Sequence, residues 1–75
     1  MKLSEFRFAI EHEFGGGYAR VLVRDLVLPA LGGRTAEDAL AAGIAPKDVW
    51  IALCDEQGVP LERRAGVGRP DPRRD

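Results

Sequence analysis

Glycine is the feature that most constrains this chain. Gly15-Gly16-Gly17, Gly32-Gly33, Gly43 and Gly58 (the last followed by Pro60) cut the first 60 residues into short stretches. Runs of glycine lose too much backbone entropy to stay helical, and single glycines end helices in the left-handed conformation. Whatever lies between them must therefore be brief, and apolar spacing decides its type. Phe6, Ile10 and Phe14 recur every four residues with Ala9 beside them, one stripe of an amphipathic helix. Ser4 is expected as its N-cap, Glu5 sits in the first turn, and Leu3 and Phe8 stand at the two positions of a hydrophobic staple. The triple glycine is expected to end it.

A second helical run starts near Tyr18. Tyr18, Leu22 and Leu26 form one row and Ala19, Val23 and Val27 the next, so only Arg20, Arg24 and Asp25 give it a polar side. Such an apolar helix is expected to be central, continuing to a kink or short final turn around Pro29, with Leu28 and Leu31. The run 26–31 is read as helix rather than strand, because it continues a helical pattern and contains proline. The third helix has the clearest start: Thr35 caps, Asp38 stands at N3, and Ala36 to Ala42 are strong helix formers. Gly43 closes it and Ile44 supplies the apolar contact of that ending. Pro46 opens a fourth helix, whose inner face is Val49, Trp50, Leu53 and Cys54, and Gly58 and Pro60 end it with Val59 folding back.

The fold class is therefore all-α: a small bundle of about four short helices with a helix-turn-helix-like C-terminal pair. Residues 1–62 form a single helical domain, and 63–75, dense in Arg, Pro and Gly, form a disordered tail. With 75 residues, 45% apolar and 31% charged, the chain has enough apolar surface to fold. For so small a core, burial at roughly 25 cal/mol per Å² nearly cancels ordering entropy, which points to a partner or to self-association.

The same composition excludes several classes of function. The lone Cys54 rules out an intrachain disulfide, and with no hydrophobic signal segment after Met1 the chain reads as a reduced, cytoplasmic protein. Val21 to Val23 and Leu26 to Leu31 are the longest apolar stretches, far short of a membrane span. Residues 1–60 hold six Lys/Arg against nine acids, a net −3, and residues 61–75 hold five Arg against three acids, a net +2. A mildly acidic folded part gains no attraction for phosphate.

Catalytic readings fail on their own requirements. Cys54 has only His12 as a base, and its spacing from Trp50 puts it on an apolar face as a buried thiol. His12, between Glu11 and Glu13, reads as a solvated imidazole. A metal site needs more His and Cys than the chain owns, and the triple glycine lacks the strand before it and the Lys-Ser/Thr after it that a phosphate loop requires. No enzyme activity, cofactor, metal or small-molecule ligand is expected.

Residues 35–53 carry the marks of a helix-turn-helix. Ala39 is small where two helices cross, Gly43 supplies the turn, and Val49 packs the second helix on the first. The exposed side of the second helix, however, offers Lys47, Asp48 and Ile51, a poor set for reading bases and phosphates, and Asp38 stands where an apolar residue is usual. Arg63, Arg64, Arg69, Arg73 and Arg74 in the tail read as a solubilising, partly self-neutralised terminus, with nonspecific phosphate contacts as the alternative. Arg20 and Arg24 share one side of the second helix, where pairing with acids of the first helix is expected, with acids of a partner as the alternative.

Leu3-Ser4-Glu5-Phe6, Glu13-Phe14-Gly15, Tyr18-Ala19-Arg20, Arg24-Asp25, Leu31-Gly32-Gly33-Arg34-Thr35, Ala39-Leu40-Ala41-Ala42-Gly43 and Pro46-Lys47-Asp48-Val49-Trp50, with Cys54 after them, resemble the actinobacterial DUF3046 family of short uncharacterised proteins. The resemblance covers about residues 1–60 and is most specific from Leu31 to Trp50. Family members tend to have a polar residue in place of Leu26 and often an acid in place of Ala45. The first difference makes the second helix more apolar and self-association more favourable; the second weakens the N-cap of the fourth. The resemblance implies no activity. It implies a DNA-repair or recombination setting by association, because members are often encoded beside the recombinase RecA and its regulator RecX.

The functional expectation is a non-catalytic protein-interaction or regulatory accessory module. Its surface includes Arg20, Arg24, Arg34, Lys47 and Ile51, and its partner is another protein or a second copy. DNA binding through the helix-turn-helix-like segment is the alternative and is not favoured.

Overall fold

The computed structural model describes residues 1–64. Its elements run α1 (Leu3–Phe14), α2 (Gly16–Asp25), β1 (Val27–Leu28), a 3-10 turn (Pro29–Leu31), β2 (Arg34–Thr35), α3 (Ala36–Ala41), α4 (Pro46–Gln57) and α5 (Leu61–Arg64). The all-α expectation holds, with one addition, a two-stranded antiparallel ladder in which Val27 pairs with Thr35 and Leu28 with Arg34.

α1 starts two residues earlier than the Ser4 cap implies. Lys2 occupies the cap position, and Glu5 Oε1 accepts its backbone N–H at 2.8 Å, satisfying a donor that the helix leaves free. The stripe is as expected: Phe6, Ala9 and Ile10 are buried and Phe14 packs at the core's edge. With Lys2 as the cap, Leu3 is the first helical residue and not the residue before the cap that a staple needs, and both Leu3 and Phe8 are exposed.

The triple glycine breaks the helix at one residue only. Gly15 takes φ of 84°, and Gly16 and Gly17 are already the first turn of α2, where the missing side chains cost less than in a helix interior. α2 then ends at Asp25, short of the expected kink. Leu26 turns extended, and 26–31 become a strand and a tight turn rather than a continued helix. Pro29 accounts for this: it disfavours the helical conformation of the residue before it and cannot donate to a helix. Leu28 points into the core at 1% exposed, while Val27, expected in an inner row, is 53% exposed. Leu26 therefore lies past α2, half-buried against the core, and adds no apolar surface to that helix.

The C-terminal half follows its local signals closely. Asp38 N–H donates to Thr35 Oγ1 at 3.1 Å, the N-cap bond of α3. At the other end Gly43 N–H bonds the Leu40 carbonyl and Ile44 N–H the Ala39 carbonyl, with Gly43 at φ 93°, which together make a Schellman ending. Pro46 is N1 of α4, and Ala45 before it provides no side-chain cap. Gly58 is left-handed, Val59 N–H bonds the Cys54 carbonyl at 2.9 Å, and the Val59 side chain folds into the core.

α4 is the hub of the packing. It lies against α1, α3, β1 and the 3-10 turn, while α2 packs on α1, α3 and β2. Val49, Leu53 and Cys54 are fully buried and Trp50 is 4% exposed, surrounded by Phe6, Ala9, Leu22, Leu28, Ala36 and Ala39 of the same core cluster.

Arg63 and Arg64, placed in the disordered segment by their composition, form the end of α5 and are held by ion pairs. Arg63 Nε donates to Glu13 of α1 at 3.0 Å. Arg64 donates to the Val59 carbonyl at 2.9 and 2.6 Å and to Asp55 Oδ1 at 2.7 Å. The expectation for residues 65–75 lies outside the described residues.

Candidate interaction surface

α4 sets the geometry of the surface. Its inner face is full, so residues on the opposite side must face outward. The adjacent pair Trp50 and Ile51 shows the division: Trp50 is core and Ile51 is 40% exposed. Lys47 lies one turn before Ile51 and Asp55 one turn after, on the same row of the helix. Lys47, Asp48 and Asp55 are exposed. Ile51 is thus an apolar centre flanked along its row by a cation and an acid.

The other expected surface residues are dispersed. Arg20 lines a shallow groove between α1, α2 and α3 together with Arg7, Glu11 and Glu37, a mixed-charge mouth over Ile10 and Val23. Arg24 does not pair with acids of α1; it bonds Asp25, its own neighbour, at 3.2 Å with both side chains more than half exposed. Such a pair contributes little. Arg34 Nη1 donates to the Leu31 carbonyl at 3.0 Å and so closes the turn between β1 and β2, a structural task. Lys47 and Ile51 share one face of α4, apart from Arg20 and Arg24 on α2 and Arg34 in β2.

Several surface features were not anticipated. Phe8 and His12 stack on the outside of α1 with centroids 5.7 Å apart. Tyr18, 53% exposed, meets Phe14 edge-on at 6.4 Å and donates its hydroxyl to Gln57 Oε1 at 3.4 Å. Val21 and Leu61 are also exposed. The i, i+4 spacing of Phe8 and His12, half a turn from the Phe6–Ile10 stripe, is the signal that could have placed them outside.

Cys54 has no access to solvent, and burial pushes its thiol up to about 11, with Arg64 opposing and Glu13 and Asp55 adding to the shift. A thiol so held is protonated at neutral pH and is a poor nucleophile. His12 lies exposed on α1. Among the described residues no group of three His, Cys, Asp or Glu side chains is placed to hold a metal ion, and no helix is long and apolar enough to cross a membrane.

Fold and surface together define a small helical domain whose core is fully apolar and whose outer face carries separate large apolar side chains among charges. The chain belongs to the family described as protein of unknown function (DUF3046), whose model matches residues 1–62. The match ends just before Arg63 and Arg64, the two residues that tie α5 to α1 and α4. No curated protein and no solved structure matches the chain.

Proposed function

We propose that this protein is a non-catalytic interaction module that works in the cytoplasm by binding another protein chain through the outer face of α4. The observation that carries the reading is Ile51, 40% exposed at the middle of the helix that anchors the whole core. A rigid helix presenting an apolar side chain between charges has the arrangement of an interface centre with a polar rim. Because α4 is fixed by Val49, Trp50 and Leu53 on its other side, a partner would meet a preformed surface with little ordering to do.

The test is Ile51→Glu. Its side chain already faces water, so helix content and stability are expected to change by no more than about 0.5 kcal/mol, while capture of the partner is lost. A variant that unfolds would make Ile51 a core residue and remove the basis of the reading.

DNA binding is the second reading. The joined helices α3 and α4, with Ala39 buried, Gly43 left-handed and Val49 buried, favour it. The exposed residues of α4 weigh against it, because Asp48, Asp55 and Glu56 oppose a single Lys47. Anisotropy of a labelled duplex titrated at low and physiological salt separates the two. Salt-resistant binding by the folded domain that drops on Lys47→Ala would replace the first reading with this one.

A further inference from the structure

A helix face can meet a second copy of itself only if its charges complement one another after the two-fold operation. In an antiparallel pairing of two identical helices about a central residue, the side chain one turn before the centre meets the side chain one turn after it on the other copy. On α4, centred at Ile51, this sets Lys47 against Asp55 of the second copy, twice, with the two Ile51 side chains between them. Asp55 is free to accept: Arg64 holds Oδ1 at 2.7 Å, and the carboxylate is still 62% exposed. Asp48 shares the face, so each copy brings Lys47 and Arg64 against Asp48 and Asp55, and the patch is neutral as a whole.

The same operation yields no ion pair on the other long helices with an exposed apolar centre, α1 and α2. Around Phe8 of α1, 56% exposed, it sets Ser4 opposite His12 of the second copy, and around Val21 of α2, 44% exposed, it sets Gly17 opposite Asp25. Self-complementarity therefore singles out α4.

We infer that the partner of the α4 face is a second copy of this chain, bound antiparallel across Ile51 with reciprocal Lys47–Asp55 ion pairs. This rests on the reading of that face as a protein-binding surface and names its occupant. One helix face of three turns is a small interface, below the roughly 800 Å² per partner of standard complexes, so the dimer is weak, reversible and sensitive to salt.

Sedimentation equilibrium of the full chain over a wide concentration range tests this, with circular dichroism to confirm that each variant folds. The weight-average mass of the wild type should rise with concentration toward that of two chains, less so at high salt. Lys47→Glu places acid against acid and Asp55→Lys base against base, so each alone should weaken the dimer at least tenfold. Mixed in equal amounts, the two variants restore both ion pairs, and the heterodimer should return toward wild-type strength. A Lys47→Glu variant that dimerises as well as the wild type, a mixture that recovers nothing, or a dimer broken by Val21→Glu but not Ile51→Glu would each overturn the inference. A wild type that stays monomeric throughout, yet whose immobilised form retains another cellular protein that Ile51→Glu does not, overturns self-pairing and leaves the binding face standing. A monomer that retains nothing removes both.

Discussion

Leu53→Ala tests whether α4 is the hub of this fold. Leu53 has no exposed surface and packs in the cluster that joins α1, α2, α3, α4 and β1. Truncating such a side chain removes its transfer free energy and leaves a cavity that a rigid core fills only in part, a loss of about 2–5 kcal/mol. The total stability expected of a chain this size is about 4–11 kcal/mol, so the change consumes a large share. Taking about 3 kcal/mol, the melting temperature should fall by roughly 12–24 °C for a domain of 60–100 residues. Trp50, the single tryptophan and itself 4% exposed, reports unfolding by fluorescence without a label. Urea titration should show a lower midpoint at unchanged slope. A loss under about 1 kcal/mol, the value expected of a half-exposed site, would refute the packing argument.

Gly43→Ala isolates backbone strain, because a Cβ there meets nothing within 4 Å while φ is 93°. A destabilisation of about 1–2 kcal/mol by thermal melting is expected. Arg64→Ala removes the donors to the Val59 carbonyl and Asp55 and should cost about 1 kcal/mol, an ordered contact that a frayed end would not make. Native-state labelling of Cys54 should proceed only at the unfolding rate, and rapid labelling would show an open thiol. The Cys54 thiol is raised in the folded chain from 9.0 to about 11, so the folded state holds its proton more tightly. Its contribution is complete below pH 9 and is lost as pH rises toward 11, by up to about 1.4 kcal/mol per pH unit. Cys54→Ala should flatten that part of the stability profile.

Helix ends were legible in the sequence where their bonds are local. Thr35 with Asp38, Gly43 with Ile44, and Gly58 with Val59 each satisfy backbone groups within a few residues, so the residue types announce the structure. Ser4 misled because Glu5 can serve the start of α1 from inside the helix, reaching back to Lys2. The β1–β2 ladder was not legible: each strand is two residues long, and its pairing depends on the 3-10 turn between them. Pro29 marks a break in the helix, but residue types alone do not say whether the chain beyond it kinks or pairs as a strand. α5 was missed for a different reason. Its Arg-rich composition reads as a solvated tail, and its order depends on Glu13, 50 residues away, and on Asp55.

The candidate site was legible in part. Trp50 inside and Ile51 outside follow from one helical period. Arg20, Arg24 and Arg34 looked alike in sequence, yet one lines a groove, one pairs with its neighbour and one closes a turn. Those differences depend on which elements meet.

The outer face of α4, with Ile51 at its centre, is the proposed protein-binding surface. Parallel capture from a cell lysate on immobilised wild-type and Ile51→Glu chains of equal helix content tests it. A protein, copies of the chain included, is expected to be retained by the wild type and absent from the variant. Equal retention by both, or recovery of nucleic acid alone, would contradict it.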